Sequence, residues 1–302
     1  MRLERILVLE SPCYVHIDTQ RLAIERDTDT GKKTSFVALI DIGGVLLDTP
    51  RVVITAGALQ ALAEFGVPVV LSGISHLPTA MLMPHANHTA TVTRQRAQAS
   101  IKDNLKKALW AKIVKAKIIN QAKLLAHHGF NKPLARLERL AQTVQSGDPH
   151  NHEAQAAIHY WQACFGQDFK RDKPQAEDTI NRSLNYGYAI VRALIARYVA
   201  LAGLNASFGC GHINTLNPLC LVDDLIEPFR SSIDTVVLRH ILPMSAWDRT
   251  AKVTLLKVLD QNIGLKNAQY RLTSAAYDVV QSYVDAILQQ DVEALQMPSW
   301  LP

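Results

Sequence analysis

One histidine and three acids lie close together between residues 209 and 230, in an order that suits a cation site. His212 is in a loop flanked by glycines, and Asp223, Asp224 and Glu227 follow on a predicted helix. Carboxylates three or four residues apart share a helix face, and they repel each other unless a cation or a proton separates them. A hard divalent ion with oxygen ligands and one imidazole would relieve that repulsion. An acidic cluster favoured by the helix dipole is the alternative interpretation.

A second candidate acid, Glu153, opens a predicted helix over residues 151–165, which Asn151 can cap. An acid in a first helical turn is often purely structural, because it interacts favourably with the helix dipole. The pair His152-Glu153 does not complete the zinc-protease motif H-E-x-x-H, because position 156 is alanine. The P-C-x-x-C of zinc deaminases is also absent. The cysteines around His212 match no zinc module, so the spacing disfavours structural zinc.

A dense basic segment precedes both acidic stretches. Residues 89–140 contain twelve Lys or Arg residues against two acids, whereas the whole chain of 302 residues has a net charge of +5. Phosphate neutralisation is the commonest use of such a segment, and a solvated helix surface is the alternative. The apolar residues share a helical sector with several lysines, so the helix either breaks or packs on more than one side. The candidate DNA contacts here are Arg94, Arg96, Lys102, Lys106, Lys112 and Lys117.

The elements that must position these residues fall into two predicted domains, as the length favours. Residues 1–85 contain short runs of branched residues separated by turns, which predicts strands; Thr55 can cap a helix over 56–65, and Gly66 fits its end. Residues 86–302 are predicted to be helical, with a kink at Pro228 because proline removes a backbone donor. The predicted fold class is α+β, with a small N-terminal β-sheet or sandwich domain and a larger all-α C-terminal domain. The predicted helices span residues 92–127, 133–146, 151–165, 177–203, 218–240, 247–262 and 268–290.

Composition limits the cellular setting. The four cysteines have no C-x-x-C spacing, so no disulfide framework is implied. The first twelve residues lack a secretory signal, and the longest apolar stretch, 186–204, is interrupted by Arg192 and Arg197. We therefore expect a reduced, cytoplasmic protein that does not enter a membrane. Trp300, in a tail bounded by prolines, is either a docking handle or part of a frayed end.

Four motifs in order resemble the CRISPR-associated integrase family, which supplies the large subunit of spacer acquisition. Glu153 is followed by Tyr-Trp at 160–161, by Asn-Arg-Ser-Leu-Asn-Tyr-Gly-Tyr at 181–188, by Gly-His at 211–212, and by Leu-Val-Asp-Asp-Leu-Ile-Glu-Pro-Phe-Arg at 221–230. The last motif looks most like the branch found in type II systems. The resemblance covers nearly the whole chain, and four motifs with matching order and spacing make it specific.

The resemblance implies a catalytic metal triad, which maps to Glu153, His212 and Glu227, with Asp224 as a further candidate ligand. It implies Mg²⁺ or Mn²⁺ as the cofactor and transesterification as the reaction, in which a DNA 3′-hydroxyl attacks a phosphodiester; with water as the nucleophile the site would act as a nuclease on single-stranded or branched DNA. It also implies a homodimer that pairs through the β domains and is bridged by a small adaptation subunit.

Two other functions are compatible with parts of the sequence. A non-catalytic scaffold that binds DNA through its basic helices would have no use for three converging metal ligands, and a metal hydrolase of a small substrate would leave the basic segment unexplained. Arg230 either contacts a DNA phosphate or forms a salt bridge to Asp223 or Asp234. The tyrosines at 186 and 188 either pack beside the site or simply fill the core.

Overall fold

A computed structural model describes residues 5–29, 31–73, 78–82, 90–172, 178–244 and 247–302. The chain divides into two compact units, Met1–Thr89 and Ala90–Pro302. The predicted boundary after residue 85 falls in 83–89, outside the described residues. In the described parts of the chain, no helix is both long and apolar enough to cross a bilayer.

The described part of the N-terminal unit contains two four-stranded sheets. Branched and aromatic residues favour these strands because their side chains pack well on a pleated surface. In the first sheet β1, β5 and β7 run parallel and β8 is antiparallel; in the second, β4, β3 and β2 are antiparallel and β6 is parallel to β2. The strands are β1 (Arg5–Leu9), β2 (Cys13–Asp18), β3 (Arg21–Thr28), β4 (Gly31–Ala38), β5 (Ile42–Leu47), β6 (Val52–Ile54), β7 (Val69–Ser72) and β8 (Pro78–Leu82).

One core joins both sheets of this unit to helix α1 (Ala56–Glu64). Leu9 and Val45 enter it from the first sheet, Val15 from the second and Leu62 from α1, and all four are buried. The predicted cap is confirmed, because the Thr55 hydroxyl accepts a hydrogen bond from the Ala58 N–H at 3.2 Å. The predicted sheet or sandwich domain is thus confirmed.

The second unit is mainly helical, and α6, which is buried along most of its length, runs through it. The predicted helix 92–127 breaks at residues 100–102 into α2 and α3, and α3 packs against α4, α5 and the segment that contains Glu227. The helices are α2 (Thr91–Ala99), α3 (Asp103–His127), α4 (Leu134–Thr143), α5 (His152–Phe165), α6 (Thr179–Leu201), α7 (Cys220–Ile226), α8 (Arg230–Val236), α9 (Arg249–Leu256) and α10 (Leu272–Gln289).

The α+β fold class is confirmed, with one local difference in the helical unit. A hairpin of β9 (Asn262–Leu265) and β10 (Ala268–Arg271) takes the place of the adjoining ends of two predicted helices. Its two turn residues, Lys266 and Asn267, have φ of +50° and +62°. A two-residue turn with both residues at positive φ matches the twist of a β-hairpin, and helical periodicity alone does not reveal it.

Pro228 interrupts the predicted helix 218–240, as expected. A 3₁₀ turn, Glu227–Phe229, separates α7 from α8. Proline has no N–H to bond the preceding turn, so the regular α-helical hydrogen bonding is interrupted here. Glu227 opens this 3₁₀ turn, and its side chain contacts Lys117 of α3.

The C-terminal tail is a packed part of the second unit. Trp300 is buried, and its indole N–H donates to the Thr235 hydroxyl at 2.9 Å. The Asn120 side chain accepts from the Trp300 N–H and donates to the carbonyls of Pro298 and Pro228. The frayed-end interpretation of Trp300 was wrong, and its burial also argues against a docking handle.

We expect Trp300→Ala to lower the free energy of unfolding by about 3–5 kcal/mol, the usual cost of deleting a buried aromatic side chain. Trp300→Phe keeps most of the packing and should cost roughly 1 kcal/mol, the value of one hydrogen bond, plus a small loss of packing. Urea unfolding of both variants beside Leu216→Ala, whose side chain is almost fully exposed, tests this. Equal stability of Trp300→Ala and Leu216→Ala would contradict a docked tail.

Candidate active site

Glu153 is positioned by the cap of helix α5. The Asp148 carboxylate accepts from the His152 N–H at 2.8 Å and from the Glu153 N–H at 3.0 Å. The cap predicted at Asn151 was wrong: Asn151 has φ of +53° and makes no side-chain cap. Its left-handed backbone turns the chain so that Asp148, four residues before the helix begins, reaches the free N–H groups. Glu153 is thereby fixed in the first turn and its carboxylate remains available.

The carboxylates of Glu153 and Glu227 meet at a buried ammonium. Lys117 Nζ lies 2.5 Å from Glu153 Oε1 and 2.6 Å from Glu227 Oε2. Burial on its own lowers the pKa of Lys117, but the charges of Glu227 and Glu153 outweigh burial and raise it, so the ammonium stays charged. The sequence prediction that Lys117 contacts DNA on an open helix surface was wrong, because its side chain is only 9% exposed and faces the two acids.

Arg230 is the second cation on Glu227. Its Nη2 lies 2.9 Å from Glu227 Oε1, and its Nε donates to Oε2 at 2.9 Å. Burial raises the pKa of Glu227, but the charges of Arg230 and Lys117 reverse this and bring it to about 2. Of the predicted salt bridges of Arg230, the one to Asp223 is not formed, because Asp223 pairs with Arg192. Asp234 acts on Arg230 through its charge, and the phosphate contact stays a prediction. The side chain of Arg230 is mostly buried, so it supports Glu227.

Asp224 holds the His212 loop. Its carboxylate accepts from the backbone N–H groups of Cys210, Gly211 and His212, and from the His212 ring at 2.8 Å. Because an ionised carboxylate only accepts, the ring donates from Nδ1 and leaves Nε2 available. This geometry disfavours the predicted role of Asp224 as a direct metal ligand. Its oxygens are used by these donors and it is fully buried, so it orients His212.

The glycines around His212 allow this close packing. A Cβ atom on Gly211 would lie 2.2 Å from the Trp110 ring, nearer than non-bonded atoms can approach. The Trp110 ring in turn meets the His212 ring edge-on, with centroids 5.6 Å apart. The loop sequence Gly-Cys-Gly-His therefore lets the backbone approach both α3 and Asp224. The imidazole is held from two sides, by a carboxylate and by an aromatic ring.

A buried polar cluster lies behind Arg230. Its guanidinium carbon is 4.5 Å from the centroid of the Tyr188 ring. The hydroxyls of Tyr188 and Tyr160 both donate to Asp234. Burial raises the pKa of Asp234 to about 6, although the two tyrosine hydroxyls oppose the shift. Tyr188 thus does more than fill the core, since it links the Arg230–Glu227 pair to this buried acid.

His212 offers a direct test of the role of Asp224. The hydrogen bond to Asp224 raises the pKa of His212, and burial opposes it. We expect Asp224→Asn to lower the pKa of His212, as followed by NMR of the ring proton in chelator-treated protein. Asp223→Asn is the matched control, because Asp223 acts on His212 only through space, and it should give a smaller shift.

The same shift has a stability consequence of defined sign. A histidine whose pKa is raised in the folded state adds stability below about pH 6.5, and this contribution disappears as the pH rises through its folded pKa. We expect this pH dependence of urea unfolding to flatten in Asp224→Asn. A His212 pKa that is equal in the Asp224 and Asp223 variants would contradict the assigned hydrogen bond.

The residues fit a divalent cation in their chemistry. Two carboxylates converge on one cationic group, and His212 donates one ring N–H to a carboxylate, as histidine ligands of metals do. As placed, no three His, Cys, Asp or Glu side chains of the described residues are close enough to hold a metal ion. The ammonium of Lys117 lies between the carboxylates instead, and His212 contacts Asp224. The roles assigned to Glu153, His212 and Glu227 as ligands therefore stay predictions.

The other basic residues predicted to contact DNA differ in whether their side chains are exposed or already bonded to another part of the protein. Arg96 and Lys102 are exposed. Lys106 lines a cleft of about 410 Å³ that His212 and Tyr283 also line. Lys112 instead pairs with Glu293 at 2.9 Å, and Arg94 donates to the carbonyl of Ala202. Three of these lysines and arginines thus remain available to a phosphate backbone.

Sequence reasoning did not identify Lys117, Trp110 and Asp148 as residues of the acidic site. For Lys117 a signal existed. It shares a helical sector with Ile113 and Leu124, both of which are fully buried, and a lysine in an apolar sector must find a counter-charge. Trp110 carried no such signal, because its partners Gly211 and His212 come from a distant loop. Asp148 lies only four residues before α5, and Asn151 was the more obvious cap by position.

Comparisons with known proteins identify the family of this chain. A CRISPR-associated endonuclease Cas1 from Neisseria meningitidis serogroup C is 32% identical over 302 aligned residues, covering 99% of this chain and 97% of the relative. A casposase bound to its integration product has a TM-score of 0.75 at 19% identity, over 95% of this chain and 93% of the other. A Cas6-RT-Cas1–Cas2 complex gives 0.76 at 19% identity, over 99% of this chain and 36% of that one. The family model for CRISPR associated protein Cas1 matches residues 6–246, and this chain belongs to that family.

Proposed function

We propose that this protein is a metal-dependent DNA integrase and endonuclease of CRISPR adaptation. It inserts captured DNA fragments into a CRISPR array by attack of a fragment 3′-hydroxyl on a phosphodiester, and with water as nucleophile it cleaves single-stranded or branched DNA. Membership of the Cas1 family and the name of the Neisseria relative, an endonuclease, support the nuclease part. The casposase, which was captured with an integration product, is similar in fold.

One observation of this chain carries the proposal. Carboxylates from α5 and from the 3₁₀ turn between α7 and α8 converge on a single cationic group, within 2.6 Å of it. Two acids brought together at such cost are expected where a cation has to be held, since burying charges without a partner is strongly unfavourable. His212 lies on the adjoining loop, near enough for Glu227 and Asp223 to raise its pKa.

In the proposed reaction each residue has a defined task. A bound Mg²⁺ or Mn²⁺ ion would stabilise the charge that develops on the phosphate and lower the pKa of the attacking hydroxyl. Glu153 and Glu227 would hold it through oxygen, and His212 through Nε2. His212 would be a ligand and not a general base, because a coordinated nitrogen has no lone pair left for a proton. Asp224 and Arg230 would keep His212 and Glu227 oriented.

The basic side chains that remain free define the proposed DNA path. Arg96, Lys102 and Lys106 follow one another from α2 into α3, and Lys106 reaches the cleft beside His212. We expect the triple alanine variant to bind duplex DNA more weakly. The plot of log K against the logarithm of the salt concentration has a negative slope. This slope should become less steep by about 0.9 for each phosphate that the protein no longer neutralises.

Fluorescence anisotropy of a labelled duplex over a range of salt concentrations tests that path. The control is Lys112→Ala, since Lys112 is already paired with Glu293, and it should leave the slope almost unchanged. If the triple variant kept the wild-type affinity and salt slope, these basic residues would form a solvated helix surface and not a DNA path.

We also propose a homodimer that pairs through the N-terminal units and works with a small adaptation subunit. The complex of similar fold contains Cas2, and the family resemblance implies the same arrangement. Analytical ultracentrifugation of the chain alone checks the dimer. A monomer at micromolar concentration would contradict it.

Strand transfer is the decisive assay for the catalytic proposal. The protein and its small partner are incubated with a labelled DNA fragment and a plasmid that carries the CRISPR repeat of the host. A covalent product should form with Mg²⁺ or Mn²⁺, and should disappear with a chelator or with a fragment that ends in a 3′-deoxynucleotide. Duplex binding without any metal-dependent transfer or cleavage would favour the non-catalytic scaffold instead.

A further inference from the structure

Lys117 is placed where its role extends beyond pairing with two acids. It lies in the middle of α3, its ammonium bonds Glu153 at 2.5 Å and Glu227 at 2.6 Å, and its side chain is 9% exposed. A lysine ammonium is a compact point charge with three donors. Two of those donors are used by the same two carboxylates that the proposed metal site requires. The ammonium therefore stands at the position that a cation ligated by both acids would take.

The charges of this cluster are already balanced. Glu153 and Glu227 supply two negative charges, and Lys117 and Arg230 supply two positive ones. A divalent ion bound by the same oxygens would lie about 2.0–2.6 Å from each of them, and so within a few Å of the ammonium. Two added positive charges beside an existing one, in a buried site, repel strongly. The ammonium and a divalent ion therefore compete for these oxygens.

From this we infer that Lys117 is a built-in counter-ion which holds Glu153 and Glu227 together until a divalent cation displaces it. The inference rests on the proposed function, because it concerns the metal site of that function. It explains how the half-buried Glu153 and the buried Glu227 can lie side by side despite their like charges. It also assigns Lys117 as a positioning residue that competes with the cofactor, where sequence reasoning placed it on the DNA surface.

A candidate acceptor for the displaced ammonium lies on the same helix. Gln121 is buried, and its Oε1 has no hydrogen-bond partner within the described chain. It follows Lys117 by four residues on α3, so the two side chains lie on one face. Long side chains on a helix lean toward its N-terminus, which directs Gln121 over the turn that carries Lys117. The flexible stem of a lysine allows its ammonium to move to this acceptor.

Calorimetric titration of Mn²⁺ into the chelator-treated full-length protein tests the inference without an activity assay. We expect Lys117→Met to bind Mn²⁺ roughly tenfold tighter or more, because affinity for hard cations follows the charge of the ligand set. Lys107→Met is the matched control, since Lys107 lies on the same helix in a surface pair with Asp103, and it should bind as the wild type does. Gln121→Leu should weaken Mn²⁺ binding in the wild-type background and have no effect in the Lys117→Met background.

Each possible binding result decides a different question. Binding by Lys117→Met that equals or falls below the wild type, while Glu153→Gln abolishes binding, would overturn the role of Lys117 and leave the proposed function intact. No Mn²⁺ binding by either protein would instead contradict the metal-dependent function itself. If Lys117→Met unfolds without metal, Mn²⁺ should restore its circular dichroism and cooperative melting, and failure to do so would also overturn the inference.

Discussion

Replacing Glu153 by glutamine is expected to reduce strand transfer at least about a hundredfold while duplex binding stays within about twofold of the wild type. The change removes one negative charge from the proposed ligand set and so weakens the hold on a divalent cation. Loss of preorganised electrostatic stabilisation at a reacting centre typically has an effect of this size. The fold should persist, because the cap of α5 depends on Asp148 and not on the Glu153 side chain.

The measurement is the initial rate of strand transfer across a range of Mg²⁺ and Mn²⁺ concentrations. Glu138→Gln, an exposed glutamate on α4, removes the same charge at a distance from the site and should keep the wild-type rate. Duplex binding by fluorescence anisotropy reports that the variant is folded. Transfer by Glu153→Gln at the wild-type rate at every metal concentration would show that Glu153 is not part of the catalytic site.

The second large effect concerns stability. Glu227 pairs with two buried cations, Lys117 and Arg230. In Glu227→Gln, Lys117 would keep its ion pair with Glu153, whereas Arg230 would lose the ion pair that the described structure shows for it. Removing one partner of a buried ion pair costs about 3–5 kcal/mol, because an uncompensated charge stays buried. For a unit of this size each kcal/mol lowers Tm by roughly 2–4 °C. We therefore expect a drop in Tm of about 6–20 °C.

Urea unfolding beside Glu293→Gln provides the contrast. Glu293 pairs with Lys112 but is 79% exposed, so its loss should cost less than about 1 kcal/mol. The pH dependence has a defined sign as well. The pKa of Glu227 is lowered from 4.5 to about 2, so its contribution is fully present above about pH 4.5 and is lost as the pH falls toward 2. The difference in the free energy of unfolding between the wild type and Glu227→Gln should therefore shrink as the pH falls from 4.5 toward 2. Equal free energies of unfolding at neutral pH would contradict the buried ion pairs.

These two variants separate catalysis from structure at one site. Glu153 is half-buried and contacts one cation, whereas Glu227 is buried and contacts two. A loss of transfer in Glu227→Gln therefore combines weaker metal binding with a less stable fold. Glu153→Gln is the cleaner test of chemistry for this reason. From the sequence alone, Glu153 and Glu227 were equivalent as predicted ligands. The difference in their burial makes Glu153→Gln the more informative substitution.

Local features of the fold were well predicted from sequence. Thr55 caps α1, and Pro228 breaks the helix that carries Glu227, because both effects depend on backbone groups within four residues. Asn151 failed as a cap although its residue type is suitable, since its backbone adopts positive φ and Asp148 reaches the N–H groups instead. Residue type predicts that a cap is needed, and the path of the preceding loop decides which residue supplies it.

The amino-acid sequence by itself determined the family, the two-part α+β organisation, and the identity of Glu153, His212 and Glu227 as the candidate site. Short-range periodicity and turn residues are sufficient for the two-part organisation, whereas the family and these three residues follow from the resemblance of four ordered motifs between residues 153 and 230. Tertiary structure alone decided which charge meets which: Lys117 with both glutamates, Arg192 with Asp223, and Asp224 with His212. A buried charge pairs with an opposite charge that the packing of distant segments brings close to it. The residue spacing within one segment therefore does not predict the partner.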